Sequence, residues 1–327
     1  MTSSFPVVDL GEFERAGEAE KRRIGGHIDE ICRRSGFLAV GQHGVPETTI
    51  DHAWSVAREF FSLSNELKQQ AKAPYEGYPY GYLGPELEAL AKSKGVDTPP
   101  DLKESFNGGP LTVPEGMEDP EALEFCYAET IWPQQPAGFV EAWQAYYRSM
   151  EDLAARIMRL FAVALDLPER HFDRFIDAPI SALRALNYPE QDGAPKPGQL
   201  RAGAHTDYGS LTILLPQPGS TGLQILSPER EWVPVPAEKG LFVVNLGDLM
   251  ARWTNDRWVS TLHRVVNPEP VDGATARRQS FAFFHQPNWH ARIECLESCL
   301  PEGGIPEYEP VLSGPYLMSK FRATTVS

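Results

Sequence analysis

The stretch Ala204-His205-Thr206-Asp207-Tyr208-Gly209-Ser210-Leu211-Thr212-Ile213-Leu214-Leu215 sets the terms for the whole chain. Two ligand-type side chains run straight into an apolar segment of strand length. In extended chain, side chains i and i+2 leave the same face, so His205 and Asp207 can reach one ion while Thr206 points away. A third histidine, His263, lies in Thr261-Leu262-His263-Arg264-Val265-Val266, where alternation turns it away from Leu262 and Arg264. Two imidazoles and a carboxylate are the ligand set of a mononuclear non-heme iron(II) centre with open positions. They also form a catalytic zinc set, so the triad alone leaves the metal open.

Around this stretch the pattern is β-rich. Runs at 182–188, 210–215, 223–226, 232–235, 242–246, 262–266 and 280–284 have strand length, and turn signals such as Gln217-Pro218-Gly219 and Glu238-Lys239-Gly240 separate them. Many short, regularly punctuated strands predict a sandwich or barrel. Upstream, Phe139, Trp143, Tyr146, Met150, Leu153, Ile157, Leu160 and Ala164 recur at helical spacing. They predict one long amphipathic helix from Pro136 to Leu165, lying on the β core. Shorter helical stripes run from Ile24 to Cys32 and from Trp54 to Phe61, with strands at 6–10 and 37–40. Residues 74–120 hold no period and are dense in Gly, Pro and Tyr, with one short ordered edge expected at 103–107; a loop region this long is usually functional, and its aromatics suit a substrate wall. No linker splits the chain, so 1–327 is read as a single domain.

A formal charge of −15 and a pI near 5.0 argue against nucleic acid or an anionic membrane as the main partner, because both need basic patches. No apolar run predicts a membrane span, and Met1–Pro6 lacks the basic-then-apolar pattern of a signal peptide. Four cysteines (Cys32, Cys126, Cys295 and Cys299) make no disulfide framework, so a cytoplasmic location is expected. An acidic protein that takes an anionic co-substrate must build a local positive spot. Arg278 and Ser280 form a second i, i+2 pair, and a guanidinium and a hydroxyl on one strand face suit a carboxylate.

Taken together, Asn187-Tyr188-Pro189, Ala204-His205-Thr206-Asp207, Gly222-Leu223-Gln224-Ile225, Asn245-Leu246-Gly247-Asp248, His263-Arg264-Val265 and Arg278-Gln279-Ser280 carry a family resemblance. The chain resembles the isopenicillin N synthase-like branch of the Fe(II)/2-oxoglutarate-dependent oxygenases. Residues 1–120 are similar to that family's leading region, through Pro6-Val7-Val8-Asp9-Leu10, Ser35-Gly36-Phe37 and His43-Gly44-Val45, and about 180–290 to its core. The resemblance implies a mixed α and β fold with a mainly β core: a double-stranded β-helix (a jelly-roll, cupin-like) with flanking helices, the long one packed on the barrel. It implies Fe(II) held by His205, Asp207 and His263. It implies 2-oxoglutarate held at its distal carboxylate by Arg278 and Ser280 with the hydroxyl of Tyr188, and O2 as the oxidant. Plant members often carry Asn two positions before that tyrosine, where this chain has Leu186. The loop before Arg278, with Pro268, Pro270 and Gly273, is longer than in many relatives.

The implied reaction converts 2-oxoglutarate and O2 into succinate and CO2 while oxidising a small molecule, such as a secondary metabolite, amino acid or peptide. Hydroxylation ranks first, with desaturation or cyclisation as variants. Tyr208, Phe106, Asn107, Phe283 and His285 are the candidate substrate wall. Two alternatives stand beside this. One is an iron oxidase that dispenses with 2-oxoglutarate, like isopenicillin N synthase or aminocyclopropane-carboxylate oxidase; the other is a metal-dependent hydrolase or a non-catalytic β-barrel binding protein.

Overall fold

The computed structural model describes residues 5–96, 98–190, 195–267, 277–301 and 303–325. Pro268, Pro270 and Gly273 of the loop before Arg278 lie outside the described residues. The first strands in chain order are β1 (Val7–Asp9), β2 (Phe37–Gly41), β3 (Gly81–Leu83), β4 (Glu104–Gly108), β5 (Ala182–Tyr188) and β6 (Ala202–His205). They are followed by β7 (Leu211–Pro216), β8 (Leu223–Leu226), β9 (Trp232–Pro234), β10 (Phe242–Leu246), β11 (His263–Val265) and β12 (Arg278–His285). One sheet has eight strands in the order β1-β2-β10-β7-β12-β5-β4-β3, and a second has four in the order β6-β11-β8-β9. The helices are α1 (Leu10–Arg15), α2 (Glu18–Arg34), α3 (Glu47–Ser62), α4 (Asn65–Gln69), α5 (Phe139–Ala164), α6 (Asp248–Trp253) and α7 (Ser313–Thr325).

Strand alternation divides the large sheet between two cores. Leu183, Ala185, Leu211, Ile213, Val244, Phe281 and Phe283 pack with the apolar faces of α2, α3 and α5. The residues between them, including Leu186, Tyr188, Val243 and Ala282, meet Ala202, Leu223, Ile225 and Val265 of the smaller sheet. This is the jelly-roll with a helical layer on one side. The stripe on α5 is core, as its period predicts: Trp143 and Tyr146 both rest on Phe281. Truncating a buried phenylalanine of this kind to alanine costs about 3–5 kcal/mol. The helix starts at Phe139 rather than Pro136, because Gly138 before it adopts a left-handed φ of +77°.

The same alternation corrects three members of the expected substrate wall. Phe106 pairs with Ala185 across β4 and β5, and its ring sits among Phe60, Phe139 and Trp143 of the helical layer. Phe283 packs on Tyr147 of α5. His285, in phase with Phe283, is buried with its ring nitrogen 2.7 Å from the Ser210 hydroxyl. All three leave the sheet on the side away from the barrel interior. Within residues 74–120, β4 falls on the expected edge at 103–107, and β3 adds a strand that was not expected, so the large sheet extends beyond β5. Among the described residues no helix is long and apolar enough to cross a membrane. All four cysteines are free thiols.

Candidate active site

β6 and β11 place the two histidines opposite each other. His263 pairs with His205 across the antiparallel ladder, and their ring centroids are 4.3 Å apart. Just past the end of β6, Asp207 brings Oδ1 to 3.9 Å from Nε2 of His205 and 3.7 Å from Nε2 of His263. These separations are too long for hydrogen bonds. Among the described residues this is the group of three ligand-type side chains whose donor atoms converge, all within 4.8 Å of one another.

Each ligand is aimed by a second contact. Nδ1 of His205 lies 2.7 Å from the Gly203 carbonyl, and Nδ1 of His263 lies 3.1 Å from the Thr261 carbonyl. A carbonyl only accepts, so both Nδ1 atoms carry a proton, and Nε2 is the ring nitrogen turned toward the centre. Burial, together with the neighbouring His263, pushes His205 down to about 3, which keeps its ring neutral. Oδ2 of Asp207 accepts from the Thr212 hydroxyl at 2.6 Å and the Asn245 amide at 2.7 Å, which leaves Oδ1 for the centre. Burial alone would raise the Asp207 carboxyl, but the two imidazoles and these bonds outweigh it and hold the group below the usual carboxylate range. Two imidazoles and one carboxylate, each oriented from behind, fit a divalent transition metal. Asn245, named from sequence only within the motif Asn245-Leu246-Gly247-Asp248, is the partner of Asp207; its place inside an apolar strand was the available signal.

Arg278 stands on the inner face of β12 and is almost wholly buried. Nε donates to the Ser220 hydroxyl at 3.2 Å, whereas the buried Nη1 has no partner among the described residues. Tyr188 is its cross-strand neighbour, with the guanidinium 5.1 Å from the ring centroid. Ser280 follows in phase and is buried as well. A second buried guanidinium, Arg201, lies 5.9 Å over the same Tyr188 ring; burial, and then Arg278 beside it, lower its pKa. Arg278, buried beside Tyr188 with Nη1 unpartnered among the described residues, is the kind of local positive group an acidic protein needs to receive an anion. Arg201 was not singled out from sequence, although it is in phase with His205.

Part of the segment between β3 and β4 packs against β6, the strand that carries His205. Its short helical turn, Leu90–Lys94, packs on β6 so closely that a Cβ on Gly203 would stand 2.9 Å from the backbone of Ala91. Asp101 fastens it by accepting from the Gly203 amide at 2.9 Å and the Leu90 amide at 3.1 Å. Of the remaining expected wall residues, Asn107 faces the barrel interior opposite Arg184. Tyr208 is partly exposed, with its ring edge-on to Phe321 of α7.

Comparison with known proteins gives consistent matches. The family model for the 2OG-Fe(II) oxygenase superfamily matches residues 179–287, and that for the non-haem dioxygenase N-terminal region, described from morphine synthesis, matches 5–135. The 2-oxoglutarate-Fe(II) type oxidoreductase ppzC of Metarhizium majus is 31% identical, over 95% of this chain and 85% of its own. Validamycin A dioxygenase of Streptomyces hygroscopicus subsp. limoneus is 33% identical, over 98% of this chain and 86% of its own. A full-length Neurospora crassa protein, solved in complex with alpha-KG, superposes with a TM-score of 0.85 at 30% identity, covering 98% of this chain and 96% of that one.

Proposed function

The chain belongs to the 2-oxoglutarate- and iron(II)-dependent oxygenase superfamily, and we propose that His205, Asp207 and His263 hold its iron(II) while Arg278, Ser280 and Tyr188 bind the distal carboxylate of 2-oxoglutarate. It is a non-heme iron dioxygenase acting on a small molecule, and the alternatives of a hydrolase and of an oxidase without 2-oxoglutarate give way to it. Bound iron supplies the activation of O2 that couples decarboxylation of 2-oxoglutarate, to succinate and CO2, with oxidation of the substrate. The protein's residues supply position. Gly203 and Thr261 fix the ring orientations, Thr212 and Asn245 fix the carboxylate, and Arg278 receives an anion at a fixed distance along the barrel. Hydroxylation is the outcome we assign, with the whole chain working as one unit in the cytoplasm.

The observation that carries these assignments is a buried arginine whose Nη1 has no partner among the described residues, on the inner face of the large sheet, which packs against the smaller sheet that carries both histidines of the converging triad. An unsatisfied buried donor is costly, and a carboxylate ligand offsets that cost. Anaerobic addition of Fe(II) and 2-oxoglutarate tests the reading. A visible charge-transfer band is expected in the parent protein, absent from His205→Ala and Asp207→Ala, and requiring more 2-oxoglutarate in Arg278→Ala. An undiminished band in Asp207→Ala overturns the triad.

A further inference from the structure

The inner face of β4 faces the barrel interior with a polar stripe. Ser105 and Asn107 stand opposite Leu186 and Arg184 of β5, and Lys103 precedes them in phase. The charges around this stripe cancel. Lys103, buried, is 2.9 Å from Glu88 and 3.2 Å from Asp101, and Arg184 is 3.2 Å from Glu88. Burial alone would raise the Glu88 carboxyl, but Arg184 and Lys103 bring it down to about 2, so it stays ionised. Two cations and two anions therefore leave no net charge for a ligand. The Ser105 hydroxyl oxygen and Asn107 Oδ1 differ: both are fully buried and neither has a hydrogen-bond partner among the described residues. Buried polar groups in native proteins are almost always satisfied, and two exceptions on one inward face call for an occupant.

We propose that Ser105 and Asn107 are specificity-determining residues that bind an uncharged amide or imide group of the substrate. A hydroxyl and a carboxamide together offer both donors and acceptors. Two residues apart on a strand, their Cα atoms are separated by roughly 7 Å. A planar group with donor and acceptor on neighbouring atoms spans that gap, whereas a lone hydroxyl does not. A carboxylate or an ammonium group finds no uncompensated counter-charge here, so nothing offsets its desolvation.

The inference rests on the iron and 2-oxoglutarate assignment above, and its test separates the two. Cyclohexanecarboxamide, glutarimide, cyclohexanecarboxylate and cyclohexylmethylammonium are titrated anaerobically into the Fe(II)–2-oxoglutarate complex, with perturbation of the charge-transfer band as the readout. The probe-free band checks that each variant still assembles; its absence from the parent protein sinks the underlying assignment instead. The amide and imide are expected to bind more tightly than either charged probe. Their binding is expected to weaken about tenfold in Ser105→Ala and in Asn107→Leu. Asn107→Asp is expected to shift preference toward the ammonium probe. Failure of the amides to bind, equal binding of the carboxylate, or unchanged amide binding in both variants overturns the proposal.

Discussion

Replacing Asn245 by alanine removes the amide 2.7 Å from Asp207 Oδ2 and leaves only the Thr212 hydroxyl, at 2.6 Å. Asn245 is buried inside β10, so water does not readily replace it. A hydrogen bond to a charged group contributes about 1.5–3 kcal/mol. Since each 1.4 kcal/mol is tenfold, Fe(II) affinity is expected to fall by roughly 10- to 100-fold, the usual cost of losing an outer contact to a metal ligand. The assay is an anaerobic titration of Fe(II) against a chromogenic chelator for the parent, Asn245→Ala, Thr212→Val and the double variant, with metal-free Tm alongside. Both side chains serve one oxygen, so the double variant is expected to depart from the sum of the singles by more than about 0.5 kcal/mol. Parental Fe(II) affinity in Asn245→Ala, to within about twofold, refutes the claim that Oδ2 must be held for Oδ1 to point at the metal.

Arg278→Ala is expected to raise the 2-oxoglutarate concentration needed for half-maximal succinate formation by about 10- to 100-fold, with Arg278→Lys recovering only part of the loss. Glu151 gives a pH-dependent prediction. Burial, only partly opposed by Arg148, raises its carboxyl to about 7 from an ordinary 4.5. A raised folded-state pKa contributes stability that is fully present below 4.5 and lost as pH rises through about 7. Thermal unfolding of Glu151→Gln is therefore expected to show a higher Tm than the parent at about pH 8.5 and none of that gain at about pH 4. Gly203→Ala drives a methyl into the Ala91 backbone at 2.9 Å. It is expected to destabilise the protein by about 1–3 kcal/mol and to increase proteolysis between β3 and β4.

That His205, Asp207 and His263 form one converging group was legible because each claim needed only local geometry: an i, i+2 pair and a histidine in phase with its strand. That His205 and His263 pair directly was not legible, since register between β6 and β11 is set by the rest of the barrel. Three members of the expected substrate wall, Phe106, Phe283 and His285, turn away from the barrel interior for a physical reason. Most of β12 is buried on both faces, so apolar character does not say which side a residue takes. Parity was available nonetheless: Phe283 and His285 are out of phase with Arg278 and Ser280, and Phe106 and Asn107, as neighbours, cannot share a face. The helix α7 went unread because Gly314 and Pro315 punctuate its start. Its Pro315 falls in the first turn, where the missing amide costs least.

The double duty of β12 bears on how enzymes of this architecture diverge. On that strand Arg278 and Ser280 stand in the proposed anion pocket, Ala282 lines the barrel interior, and Phe281 and Phe283 seal it against the helical layer, which leaves little room for neutral drift. The segment between β3 and β4, the inner face of β4, and α7 beside Tyr208 reach toward the centre without supplying a proposed iron ligand or the anion-binding pair. Substrate preference can therefore be exchanged there like a cassette while the oxidising machinery stays constant. Chimeras built by grafting these pieces between relatives should retain iron and 2-oxoglutarate binding while inheriting the donor's choice of substrate.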